Sequence, residues 1–199
     1  IPNLGAPLRV SQFSDVGFLL SFDSLVLERS YTLIAKNVED QSSNLNPSDT
    51  VNFVYVPPAL PGFQGLRITE IMSDPSPVVG LPDIEYLEIW NGSEKTYTLE
   101  GVFIRDESGD YALPDTLIAP KTYMALAGEK DSLFVYVSDF PSLYNSGESI
   151  ALLSVSGDLI DSVTYSSQWI SNAEKRNGGY SLELVNLESS CEGPANWEA

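Results

Sequence analysis

Apolar residues along the chain recur at every second position or in short runs, and no window shows the three-to-four spacing of an amphipathic helix. Up to residue 56 the runs at 8–13, 17–22, 31–37 and 51–56 read as strands. Seven more follow at 66–72, 84–90, 101–105, 122–127, 149–153, 159–165 and 180–184. Between them lie residues that tolerate positive φ: Asn91-Gly92, Ser108-Gly109-Asp110, Asn145-Ser146-Gly147, Ser156-Gly157-Asp158 and Asn177-Gly178-Gly179. The sharpest local expectation is a hairpin over 151–163 turning at Ser156-Gly157-Asp158. Many short strands and frequent turns predict an all-β chain of antiparallel sandwich type. Pro57, Pro58, Pro61 and Gly62 interrupt the pattern and predict a stiff linker, with one domain over 1–60 and a second over 61–199.

The second domain is organised around residues 66–91, two strands that each carry a glutamate, joined by the proline-rich loop 74–83. Composition narrows what such a domain does. Lys and Arg number 10 against 28 Asp and Glu, a formal charge of −18 that repels phosphate backbones and anionic lipid heads. Nucleic acid and membrane surfaces are therefore poor partners, while cations, basic proteins and neutral glycans stay open. Histidine is absent, which removes the commonest general base and zinc ligand. The single Cys191 forms no intrachain disulfide or multi-thiolate site, and a free thiol, an intermolecular link and an inert buried thiol all remain open. No apolar run reaches the roughly 18 residues of a membrane span. With Ile1 as its first residue, the chain is expected to be a mature piece of something longer, with any export signal or anchor outside it.

Two stretches resemble known families. Tyr31-Thr32-Leu33, then Asp40 to Asn44 in a D-x-x-x-N arrangement, then Phe53-Val54-Tyr55-Val56, resemble the closing half of a bacterial Ig-like domain. That resemblance implies missing first strands and an unpaired edge, hence either a homodimer through residues 1–56 or poor order there. The ordered set Ile68-Thr69-Glu70-Ile71-Met72, Asp74-Pro75, Glu85-Tyr86-Leu87-Glu88-Ile89-Trp90-Asn91, Asp161-Ser162-Val163-Thr164-Tyr165, Tyr180-Ser181-Leu182-Glu183 and Asn196-Trp197 resembles the bacterial lamin tail domain across nearly all of 66–199. Leu184 departs from it, since many bacterial members carry arginine there. The resemblance implies an Ig-like β-sandwich in an exported or cell-surface protein.

Candidate chemistry is sparse. Glu70 is in phase with Ile68 and Met72, and Glu88 with Tyr86 and Trp90, so period-two geometry puts both carboxylates on apolar faces. The plain reading is a pair of carboxylates satisfied by loop amides; the alternatives are a calcium site, with Asp74 and Asp83 as further oxygen ligands, and an acid/base dyad. Asp161 reads as a structural hydrogen-bond acceptor. Trp90 and Trp197 read as core, whereas Trp169, with Tyr165 and Asn172, sits where a strand gives way to a polar loop and forms a candidate glycan-binding tip. Serine and cysteine nucleophiles lack a histidine base. The expected function is a non-catalytic module that spaces or docks neighbouring protein domains through loops 74–83 and 165–177. No cofactor is expected, calcium apart; the alternative is a calcium-stabilised adhesion or carbohydrate-binding module.

Overall fold

The computed structural model describes residues 5–14, 17–26, 29–40, 42–187, 189 and 193–199, and Cys191 lies outside them. The chain separates into two compact units, Ile1–Pro57 and Pro58–Ala199. The division falls ahead of the 60/61 position read from the prolines because Ala59 is bridged to the second unit. Its N–H donates to the Thr96 carbonyl at 2.9 Å and its carbonyl accepts from the Thr98 N–H at 3.0 Å.

The first unit holds two antiparallel ribbons, β1 (Arg9–Ser14) with β2 (Gly17–Ser21), and β3 (Ser30–Glu39) with β4 (Leu45–Val54). The second ribbon turns at the D-x-x-x-N segment. Asp40 Oδ1 accepts the N–H groups of Ser42 and Asn44 at 2.8 and 2.9 Å, and Asn44 Nδ2 donates to Asp40 Oδ2. Tyr31 is buried, stacks on Phe53 at 5.7 Å and accepts the Val26 N–H on its hydroxyl. Two strands cannot cover both of their own faces, and Ile34, Val38, Leu45, Val51 and Val54 stay exposed. Among the described residues neither ribbon gains a third strand, so the outer edges on which the expected dimer rests are unpaired.

The second unit runs through β5 (Arg67–Met72), β6 (Tyr86–Asn91), β7 (Tyr97–Thr98), β8 (Val102–Arg105), β9 (Asp110–Ala112), β10 (Leu117–Ile118), β11 (Thr122–Ala127), β12 (Val135–Tyr136), β13 (Ser149–Ser154), β14 (Leu159–Thr164), β15 (Leu182–Leu184) and β16 (Trp197–Glu198). One sheet has the order β12-β11-β6-β5-β15-β16, another β14-β13-β8-β9, and a small pair joins β10 to β7. Every contact between these neighbours is antiparallel except β11 with β12. Both larger sheets feed one core that includes Leu66, Ile68, Ile71, Leu87, Ile89, Ile104, Leu126, Ile150, Leu152 and Ile160. Each such side chain contributes about 1.5–3 kcal/mol by leaving water. The fold is the expected all-β, Ig-like sandwich.

All seven expected strands of this unit are present, with ends moved by two residues at most. Those missing from the sequence reading, β7, β9, β10, β12 and β16, have two or three residues each, too few for alternation to show. The expected hairpin is β13–β14, closed by Gly157 at φ 83° and by Ser154 N–H donating to the Asp158 carbonyl at 2.9 Å.

One irregularity sets the geometry of the candidate acids. In the β5–β6 register Ile68 faces Ile89 and Glu70 faces Glu88, which leaves Thr69 as an extra residue in a β-bulge. The bulge resets the phase, so Ile68 and Ile71 both reach the core while Glu70 does not. The unbroken period-two reading, with Glu70 in phase with Ile68, is corrected on this point.

Candidate functional site

Glu70 and Glu88 come together, on the face of the six-stranded sheet opposite the core. Their row continues across neighbouring strands, since Glu183 pairs with Glu70 and Glu198 with Glu183, giving Glu88, Glu70, Glu183 and Glu198 in register on β6, β5, β15 and β16. The sequence reading missed the last two because only the distant pairing of β15 with β5 brings Glu183, and Glu198 behind it, beside Glu70. The inner pair is held by hydroxyls, not by the loop amides expected. Thr69 Oγ1 donates to Glu88 Oε1 at 2.8 Å, and the Tyr86 hydroxyl donates to Glu70 Oε1. Beside them Trp90 stacks on Tyr123, ring centroids 6.1 Å apart. Trp90 is therefore a half-buried residue of the outer face and not part of the core as expected, because it shares the phase of Glu88.

Burial pushes the Glu88 carboxyl above its ordinary range, and the charges of Glu70 and Glu183 add to this, against the Thr69 hydroxyl bond, which lowers it. Burial also raises Glu85 and Asp161. A carboxyl raised in the folded state holds its proton while the unfolded chain has already lost it, so the folded state binds more protons and stability falls as pH rises from the ordinary carboxylate value through the folded one. We therefore expect Glu88→Gln, which keeps an acceptor for Thr69 and removes one charge from the row, to raise stability at pH 7 by on the order of 0.5 kcal/mol. Below pH 4 the gain vanishes. Melting temperatures of both proteins across pH 4–8 check this, and a variant less stable than the parent at pH 7 would contradict it.

Asp74 and Asp83 do not join the two glutamates. Both belong to the loop after β5, where Asp83 Oδ1 accepts the Ser76 hydroxyl at 2.7 Å. Among the described residues no group of three or more His, Cys, Asp or Glu side chains is placed to hold a metal ion, and no helix is long and apolar enough to cross a membrane.

The first of the two loops named as contact surfaces, 74–83, touches the glycine pair that directly follows the second, 165–177. Gly179 N–H donates to the Asp74 carbonyl at 2.7 Å. Gly178 and Gly179, at φ 103° and 81°, lie so close under the Ser76 and Pro77 carbonyls that a Cβ on either would collide. Over this clamp the loop holds Val78, Val79 and Leu81 at 59%, 41% and 37% exposure. In the partner loop, Tyr165 proves unsuitable as a ligand platform: it is 2% exposed, and its hydroxyl donates to the Tyr144 carbonyl at 2.8 Å. Its place as the last residue before the loop turns its ring into the core. Asn172 Oδ1 accepts the Glu174 N–H at 2.8 Å and shapes the loop. Trp169 ends a short 3-10 turn, Ser167–Trp169, and packs on Trp197 with ring centroids 6.3 Å apart. It forms part of a wall, not a protruding tip. Asp161 does accept a backbone bond, from Ile68 N–H at 2.8 Å, tying one sheet to the other.

The sequence model of the Lamin Tail Domain family matches residues 61–167. No curated protein and no solved structure matches the chain. The matched segment contains β5 to β14 and stops short of β15 and β16, which complete the six-stranded sheet.

Proposed function

Since this chain belongs to the lamin tail domain family, whose Ig-like members are non-enzymatic structural and interaction modules, we propose that it spaces and docks neighbouring domains of an exported bacterial multidomain protein without catalysing a reaction. The observation that carries this is the clamp between the loops. Exposed apolar side chains on a loose loop would collapse onto the surface. Here Val78, Val79 and Leu81 project from a backbone fixed by Gly178 and Gly179 on one side and by the Ser76–Asp83 bond on the other. A rigid apolar projection loses little conformational entropy when a partner covers it.

The glutamate row lends no support to catalysis. Each member of its inner pair accepts a hydrogen bond from a neighbouring hydroxyl, as a structural carboxylate does. The partner is accordingly a protein domain with an apolar recess. Hydrogen exchange across residues 76–82, measured on the chain alone and joined to its natural neighbours, tests the reading: slowed exchange there on joining is the expected result, and unchanged exchange removes it.

A further inference from the structure

Where the edge strand β14 approaches the start of β5 and the end of β15, a groove of about 270 Å³ opens, close in volume to small-molecule sites. Its lining includes Arg67, Asp161, Thr164, Trp169, Asn196 and Trp197. The two indole rings are tilted by 42° and form adjoining aromatic walls. Arg67 spends one guanidinium N–H on the Leu187 carbonyl, while its Nε is buried without a hydrogen-bond partner. Asp161 lines the same groove, yet the ion pairs among the described residues are Arg105–Asp110 and Lys121–Glu94, not Arg67–Asp161. A part-buried cation and a part-buried anion thus face one cavity without meeting.

The surroundings narrow the ligand class. An extended peptide cannot add to the β14 edge, because the Ile160 carbonyl already accepts the Gln64 N–H at 2.7 Å and the Asp161 carboxylate occupies the Ile68 N–H. Asn196 is spent as well: its Nδ2 donates to the Asn186 and Ser189 carbonyls and its Oδ1 accepts the Asn186 N–H. What fits is a compact ligand with an apolar face for an indole and an edge of groups that both donate and accept. The opposite charges of Arg67 and Asp161 cancel, and a chain of formal charge −18 repels anions. We infer that this groove binds one neutral sugar ring of a glycan, its C–H face on Trp169 and its hydroxyls donating to Asp161. The groove makes no use of loop 74–83, so this site and the docking face can fail independently.

Saturation-transfer NMR of the whole chain with the methyl glycosides of glucose, galactose, mannose and N-acetylglucosamine tests it. Transfer to the ring C–H protons of at least one probe is expected, weakened about tenfold or more by Trp169→Ala. Trp169 also packs against the core, so a second variant, Thr164→Arg at an exposed strand position, fills the groove and gives up only the hydroxyl bond between Thr164 and Ser149. Trp90→Ala, on the outer face, leaves binding unchanged. No transfer to any of the four probes, or transfer that survives Thr164→Arg, would overturn the assignment.

Discussion

Asn91→Asp is expected to destabilise the second unit by about 3–5 kcal/mol at neutral pH, the loss typical of an uncompensated buried charge. Asn91 is fully buried at the end of β6. Its Nδ2 donates to the carbonyls of Lys95, Ile118 and Ala119 at 2.7, 3.1 and 3.0 Å, and its Oδ1 accepts the Ser93 N–H and hydroxyl. One side chain therefore fastens the turn after β6 to β10. A carboxylate in its place has no donor and faces three carbonyl oxygens. Asn91→Ala, which strands the carbonyls without adding a charge, is expected to lose less, about 2 kcal/mol. Urea unfolding of the three proteins gives the comparison. Its signature is pH dependence, since a protonated aspartic acid regains one donor and the Asp variant recovers toward the Ala variant in acid. Equal losses at every pH would show that the position matters only for packing.

The second large effect belongs to Gly178→Ala, expected to cost about 2–4 kcal/mol by combining positive-φ strain with a collision. At φ 103°, the new Cβ would strike the Ser76 carbonyl oxygen and stand 3.0 Å from Asp74 Cγ. The Ser76 carbonyl is backbone and cannot swing aside as the Asp74 side chain can. Gly80→Ala is the internal control, because Gly80 also has positive φ (79°) but nothing within 4 Å of its Cβ position. It is expected to lose only about 1–2 kcal/mol. If the two variants unfold alike, the clamp between the loops contributes nothing beyond backbone strain.

Much of this fold was legible because its strands are long enough to alternate and its turns use residues with particular backbone freedom. Thr122 to Ala127 shows the pattern at its clearest, with observed and expected strand coinciding. What escaped was of three kinds. Strands such as Leu117–Ile118 are held by their neighbours and by Asn91, not by any periodicity of their own. The bulge at Thr69 changed the face of Glu70 without any glycine or proline to announce it. The glutamate row depends on Glu183 and Glu198, which only sheet order brings beside Glu70. At the candidate site, loops 74–83 and 165–177 were recognisable from composition, but the clamp on the first was not, since it rests on Gly178 and Gly179, just after the second, meeting two carbonyls a hundred residues earlier. Tyr165 was misread for the opposite reason: its polar sequence neighbours conceal a ring that packs inward.

The central claim is that the clamped loop 74–83 presents the surface by which this module docks a neighbour. The most direct measurement is hydrogen exchange of that loop, on the chain alone and joined to the adjoining domain, repeated on a variant carrying Val78→Asp and Leu81→Asp. The account predicts slowed exchange across 76–82 in the joined parent and no such slowing in the variant, with the core strands Arg67–Met72 and Tyr86–Asn91 exchanging alike throughout. Exchange across 76–82 that is the same alone and joined, or protection that survives the charged substitutions, would contradict it.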